Sequence, residues 1–362
     1  MKIIGIESIP LRVPLDRPAT FATRTVRYRD YVAVRVHTDE GITGIGYSWY
    51  LHSASVIDHL LRDRVLGEDP FAVERIWDKM YREVFRERKG AAIRAVSAVD
   101  IAVWDIIGKA LGKPLHRLLG GYDDRVQCYA SGGYYREGKG VEGLVEEMLG
   151  YVERGFKAVK MKVGSLPIEG DVERVRAVRD AVGPDVEIML DANNGYSVKQ
   201  AIKAGRRYER YDIAWLEEPV WPDDIKGSAK VAAALDVPVA SGELEYTRYG
   251  FRDLIENEAV DIIQPDATVC GGVTEWMKIA HMAAAWNIPV NAHAEHEVHV
   301  HLMSAIANGE YVEYFHRETD ITKEMLLFKQ QLVPEDGVLK APEEPGWGLE
   351  FDEEALEKYR VR

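Results

Sequence analysis

The positions of this chain best suited to chemistry are two lysines in the stretch FKAVKMKVG and the acids and histidine that follow them. Side chains alternate across a strand, so Lys160 and Lys162 share one face while Val159, Met161 and Val163 take the other. Asp191 with Asn193, then Glu217 and Glu218, Glu243, Asp266, His293 and Glu313 come next, each closing a short apolar run. Taken singly, each has an ordinary reading. An Asp at a strand end caps the next helix, Glu217-Glu218-Pro219 opens a loop, and a lone His is a satisfied core residue. Jointly those readings fail, because independent surface residues would not recur at one run end after another.

Asp191, Glu217 and Glu243 would bring three hard oxygen ligands together from neighbouring strands. Carboxylates crowded in this way repel unless a divalent cation sits among them. Mg²⁺ is the expected ion, since zinc would call for His or Cys at these run ends. Lys162 is the expected general base, with Lys160 as the like charge that lowers its pKa and attracts an anionic substrate. On the far side Asp266 would fix the tautomer of His293 and leave its other nitrogen free as acid or base. Glu313, if protonated, would donate a hydrogen bond to a developing oxyanion.

One kind of scaffold presents a functional group at the end of every strand. After Tyr122, short apolar segments alternate with amphipathic ones: VQCYASGG, FKAVKMKVG, VEIMLDANN, IAWLEEPV, VPVASGELE, VDIIQPDAT, IPVNAHAE and YVEYF. Helices such as VEGLVEEMLGYVERG, GDVERVRAVRDAVG and VTEWMKIAHMAAAWN lie between them. Eight such strands predict a closed parallel β/α barrel, in which chemistry gathers at the C-terminal strand ends. A doubly wound open sheet would show a glycine-rich loop after its first strand, and none is present. Before residue 122 the chain reads as a small α+β module. It has strands in IIGIESIPLRV and DYVAVRVHTDEGITGIGYSWY, a hairpin turn at Asp39-Glu40-Gly41, and helical periodicity from Ser55 to Leu119. The stretch DRPATFATRTVRYRD between the strands reads as a polar loop. The expected fold is therefore α/β, a modified (β/α)8 TIM-type barrel with an α+β capping domain. Residues 1–122 form the cap, 123–320 the barrel, and 321–362, rich in Pro, Gly and Glu, a segment packing back on the cap.

The 362 residues carry a formal charge of −14, which argues against nucleic acid or an anionic membrane surface as partner. An acidic small molecule stays possible, because lysines and a cation can reverse the potential inside one pocket. Two cysteines, Cys128 and Cys270, give neither a disulfide framework nor a thiolate metal site. No run reaches the roughly 18 apolar residues needed to span a bilayer, and MKIIGIESIPLRVPL reads as a strand rather than a signal peptide. A cytoplasmic location is expected.

Together the pieces KMK at 160–162, DANNGYS from Asp191, WLEEP with Glu217, SGE with Glu243, QPDATVCGGVTEW with Asp266, NAHAEHEVHVHL with His293 and VEYF with Glu313 make the chain resemble the mandelate racemase subgroup of the enolase superfamily. TDEGITGIGYSW and PGWGLEFDEEAL extend the likeness to both ends. The resemblance implies Mg²⁺ on Asp191, Glu217 and Glu243, Lys162 and His293 as the acid/base pair, Asp266 orienting His293, and Lys160, Asn193 and Glu313 as auxiliaries. That superfamily is a standard example of a Lys or His base working with Mg²⁺. It further implies removal of the proton α to a carboxylate through an enediolate, and a multimeric assembly. Dehydration of a sugar acid to a 2-keto-3-deoxy acid is the favoured outcome. Racemisation or epimerisation of a 2-hydroxy or amino acid derivative, or an acid-binding barrel without turnover, are the alternatives. A muconate cycloisomerase-like reading fits less well, since such enzymes place a lysine where Asp266 stands. Specificity is expected from the cap loops with Phe21, Arg24, Arg27, Trp49, Tyr50 and His52, from Tyr134 and Tyr135, and from His296. His299 and His301 are assigned to the helix after the seventh strand.

Overall fold

A computed structural model describes residues 1–361; Arg362, the last residue of the expected C-terminal segment, lies outside the described residues. Three antiparallel strands come first: β1 (Ile3–Phe21), β2 (Arg24–Thr38) and β3 (Thr43–Trp49). Gly41, at a φ of 80°, turns β2 into β3 where Asp39-Glu40-Gly41 predicts it. The expected polar loop at 16–30 is instead a continuation of the β1–β2 hairpin. Ala19 pairs with Val26 and Phe21 with Arg24, after a register shift that begins at Pro14. Its residues are polar because the ribbon is largely exposed, and polarity alone does not break a strand.

The hairpin is anchored. Thr20 and Tyr135 exchange backbone hydrogen bonds of 3.1 and 3.0 Å, which seats its tip on the loop after the first barrel strand. Beneath it Phe21, Ala19, Tyr134, Ala294 and Phe315 form a small apolar cluster.

The eight barrel strands are β4 (Arg125–Ser131), β5 (Ala158–Lys162), β6 (Glu187–Asp191), β7 (Ile213–Glu217), β8 (Val239–Ser241), β9 (Ile262–Ile263), β10 (Val290–Ala292) and β11 (Gly309–Tyr314). They pair in sequence order, all parallel, and β11 closes the ring on β4. Inside, Tyr129, Ala158, Met189, Trp215, Ala240 and Ile262 make one apolar layer. Outward-facing residues such as Val159, Met161, Ile188, Leu190 and Leu216 join the larger core beneath the helices. A parallel sheet covered on both faces has this two-sided apolar character.

A short strand, β12 (Val338–Lys340), lies antiparallel against β4, while Val361 donates its N–H to the carbonyl of Pro10. The segment after residue 321 thus touches both the barrel and the first sheet. Asp105, buried on helix Ala91–Leu111, accepts from the N–H groups of Ile45 at 2.9 Å and Trp347 at 3.1 Å and so joins that helix to both. Among the described residues no helix is long and apolar enough to cross a membrane.

Helix Ala91–Leu111 lies so close to β3 that a Cβ added at Gly46 would stand 2.2 Å from the carbonyl oxygen of Ala98 and 2.7 Å from the nitrogen of Ala102. Both obstacles are backbone, so neither can swing aside. Gly46→Ala is expected to destabilise the fold by about 1–3 kcal/mol, the usual cost of overpacking a tight contact, read as a lower denaturation midpoint in urea.

Candidate active site

Strand pleating and register build the site. Along β5, Ala158, Lys160 and Lys162 face the barrel interior in rising order, with Ala158 in the apolar layer and the lysines above it. Lys162 is in register with Asp191 and Asp191 with Glu217, so three ionisable side chains stand abreast on adjacent strands. All lie at the C-terminal rim, where strand ends meet loops.

These charges are deeply buried. Lys160 is 1% exposed, and Asp191 and Glu217 are fully covered. The Lys160 ammonium lies 2.7 Å from Glu217 Oε1, 2.8 Å from Glu313 Oε1 and 3.1 Å from the Tyr129 hydroxyl. Lys162 is ion-paired with Asp191 and stands over the ring of Tyr134 at 4.9 Å. The other Glu217 oxygen accepts from Trp215 Nε1 at 3.0 Å and Gln264 Nε2 at 2.7 Å. Asp191, Glu217 and Glu243 offer oxygens that all lie within 4.8 Å of one another.

The Lys162 pKa expected from the sequence is not what this arrangement gives. Burial draws it down, but Asp191 and, next, Tyr134 raise it by more, and it ends well above the ordinary lysine value. Lys160 acts in the expected direction and is outweighed. The sequence reading took the lysines as each other's nearest charges, whereas each faces carboxylates on the neighbouring strands. Glu313 also departs from expectation. Burial raises its pKa, yet the charges of Lys160, His293 and Lys162 bring it down to about 2, so it is ionised and accepts the Ala294 N–H at 2.9 Å. Glu217 moves the other way, to about 7, because burial outweighs Lys160.

His293 stands on the opposite side. Its Nδ1 is 2.9 Å from Asp266 Oδ2 and its Nε2 3.4 Å from Glu243 Oε2. Burial pulls its pKa down, but Glu243 and the bond to Asp266 push it up to about 10. Asp266 keeps its ordinary role as well: its other oxygen accepts the N–H and hydroxyl of Thr268, both at 2.7 Å, and caps the short helix that follows. His299 ties the two loops together, accepting the Ala267 N–H at 2.9 Å and donating from Nδ1 to the Ala294 carbonyl at 2.8 Å.

A cavity of about 550 Å³ opens above these groups. Lys162, Asn193, Glu243, Asp266, His293 and Glu313 line its floor, and the cap side supplies Phe21, Arg24, Trp49 and Tyr50. Asn193, held with φ at 36°, donates its backbone N–H to Asp191 at 2.8 Å. Lys160, Asp191 and Glu217 sit behind this surface rather than on it.

Other expected wall residues lie elsewhere. His296 is buried against the ring of Tyr314 beside Glu297 and does not reach the cavity, because its helix carries it below the rim. Arg27 and Tyr135 face a separate groove of about 1500 Å³ on the outer side of the hairpin, and His52 packs on Tyr50 outside the cavity. His301 is buried, 3.1 Å from the Trp347 carbonyl. The sequence reading missed Arg29 and Arg94, both on the cavity wall. Arg29 spans from the ring of Trp49 to the Ile321 carbonyl, and Arg94 donates to the Tyr246 hydroxyl at 3.3 Å. Neither carries a spacing signal, since Arg94 sits one turn into a helix read only as core.

Among the described residues Lys160 is the lysine that stands between the buried carboxylates of Glu217 and Glu313. Lys160→Met is expected to destabilise the cation-free protein by about 3–5 kcal/mol, the cost of stranding buried charge, read in urea melts run with a chelator. An unchanged midpoint would mean the two acids do not depend on it.

The surroundings of this site have known counterparts. Residues 4–120 match the mandelate racemase / muconate lactonizing enzyme N-terminal domain, and residues 143–355 the enolase C-terminal domain-like model. The chain is 38% identical to arabinonate dehydratase of Saccharolobus solfataricus over 92% of its length and 91% of that enzyme. To L-talarate/galactarate dehydratase of Salmonella typhimurium it is 32% identical, over 97% of this chain and 88% of the other. A racemase from Streptomyces coelicolor A3(2), solved with bound magnesium, superposes with a TM-score of 0.93 at 32% identity, covering 99% of this chain and all of that one. The chain belongs to the mandelate racemase / muconate lactonizing enzyme family of the enolase superfamily.

Proposed function

We propose that this protein binds Mg²⁺ through Asp191, Glu217 and Glu243 and dehydrates a sugar acid to a 2-keto-3-deoxy acid. The observation that carries the reading is an amine and an imidazole, Lys162 and His293, on the wall of one cavity, with Asp266 behind the imidazole. The dehydratases among its relatives support the substrate class. The donor set suits the ion: three carboxylate oxygens within 4.8 Å of each other, without His or Cys, are hard ligands for a hard cation. When bound, Mg²⁺ supplies the positive charge against which both oxygens of a substrate carboxylate are stabilised as the α-carbon loses its proton.

The chain's own groups do the proton work. Lys162, whose pKa is raised mainly by Asp191, would be freed as the neutral amine once Asp191 serves as a metal ligand, and takes the α-proton at Nζ. His293, protonated at Nε2 and steadied through Nδ1 by Asp266, gives a proton to the β-hydroxyl as its C–O bond breaks. Water leaves, and the enol tautomerises to the 2-keto-3-deoxy acid. Lys160 stays paired with Glu217 and Glu313 and keeps both carboxylates in place. Asn193, Arg24, Trp49 and Tyr50 would hold the polyol end. A second reading has support from the racemase neighbour: with no β-hydroxyl to expel, His293 returns a proton to the opposite face and forms the epimer. The proposal includes a cytoplasmic enzyme with no nucleic-acid or membrane partner, supported by the acidic composition and by two buried, free cysteines, and a homo-oligomer, which rests on the family alone.

A panel of mono- and di-acid sugars, with Mg²⁺, should yield a 2-keto-3-deoxy product from at least one member and none after chelation. Lys162→Ala and His293→Ala should each lower kcat by about 10²–10⁴-fold; Lys162→Ala should abolish exchange of the substrate α-proton with deuterated water, whereas His293→Ala should keep exchange while losing dehydration. An epimer as sole product would favour the racemase, and no exchange with any acid would make the barrel a binder. Arg24→Ala should raise KM with little change in kcat, the mark of a group that binds ground and transition states alike.

A further inference from the structure

A second cluster of acids lies apart from the reaction cavity, where the first sheet, the helix after β10 and the C-terminal segment meet. His296, Glu297 and Glu324 offer ligand atoms that all lie within 4.8 Å of one another, and each residue is at most 2% exposed. His296 Nδ1 is 3.4 Å from Glu297 Oε2. Tyr31, from β2, donates its hydroxyl to one Glu324 oxygen at 3.0 Å and so fixes that side chain.

The cluster differs from the active site in its charge balance. There every buried carboxylate but Glu218 has a lysine or histidine against it. Here, among the described residues, no lysine or arginine comes within ion-pair distance of Glu295, Glu297 or Glu324. The free oxygens point the same way: Glu297 Oε2 and Glu324 Oε1 have no hydrogen-bond partner. Glu295, outside the trio and fully buried, faces the Tyr47 hydroxyl and no cation of lysine or arginine, and its strongest charge interactions include Glu324 and Glu297. Buried carboxylates without a counter-charge are strongly unfavourable.

We propose that His296, Glu297 and Glu324 form a second divalent metal site that takes a borderline transition ion of the zinc or cobalt type. An imidazole with carboxylates suits such an ion, whereas the all-oxygen set at the rim suits Mg²⁺. The ligands come from the helix that starts three residues after His293 and from the turn Glu324–Leu327. A bound ion would clamp the C-terminal segment, through Glu324 and Tyr31, to both the barrel and the first sheet. Full burial means that the ion enters as the chain folds.

The test uses full-length protein produced in Co²⁺-supplemented medium and purified in a large excess of Mg²⁺, which keeps the rim site filled. The wild type should retain a single equivalent of Co²⁺, with visible absorption bands of mixed nitrogen and oxygen ligation. Asp191→Asn should retain it too. His296→Gln and Glu324→Gln should each weaken retention by more than about tenfold, which is what the loss of even an outer-sphere partner costs. Anomalous diffraction at the cobalt edge reads the wild type directly and serves if a variant does not fold. A protein without Co²⁺, Co²⁺ lost in Asp191→Asn, or an anomalous peak only at the rim would overturn the proposal.

Discussion

Burying several charges at one rim of a barrel is possible only if each meets an opposite charge at hydrogen-bond range. Lys160 shows the constraint most sharply. It is covered almost completely, stands over a floor of Tyr129 and Trp215, and has Glu217 and Glu313 on either side. Buried ion pairs add little net stability, because desolvation takes back most of the Coulomb gain. Their effect is positional. An ammonium between two carboxylates has one place to stand, and the carboxylates inherit fixed rotamers from it and from the Trp215 and Gln264 donors. The reacting face of the cavity is the top of that packed electrostatic layer.

The cap is fitted to this floor by backbone as much as by side chains. Reciprocal hydrogen bonds between Thr20 and Tyr135 place the hairpin tip over the mouth, and the glycines of β3 let the helix behind it approach at backbone distance. The aromatic and guanidinium groups of the wall therefore hang from rigid elements. Trp49 illustrates this: it ends β3, packs on Tyr31 at 5.2 Å between ring centres, and carries the Arg29 guanidinium on its face.

Much of this was legible in the sequence, and for physical reasons. A strand has period two and a barrel repeats one strand per β/α unit, so residues at strand ends announce themselves by order alone. Lys162, Asp191, Glu217, Glu243, Asp266 and His293 could be brought to one rim in this way. What escaped depends on distances across strands or between distant segments. Residue types could not say that Lys162 has Asp191 as its nearest charge, so its pKa was assigned in the wrong direction. The hairpin at 16–30 read as a loop because its exposed ribbon carries no apolar alternation. His296 looked like a site residue because it is three positions from His293, yet a helix begins there and turns it inward. Glu324 gave no signal at all; only the fold brings it to His296.

The ring closes between its first strand and its last, so β4 has no barrel neighbour on one side until β11 has been made. During synthesis the nascent chain must therefore hold an open, apolar sheet edge for most of its length, and Lys160 lacks its Glu313 partner for the same interval. Long-range closure of this kind is slow and leaves intermediates prone to association. The rim cannot be complete before the segment around Tyr314 has been made and has docked on β4.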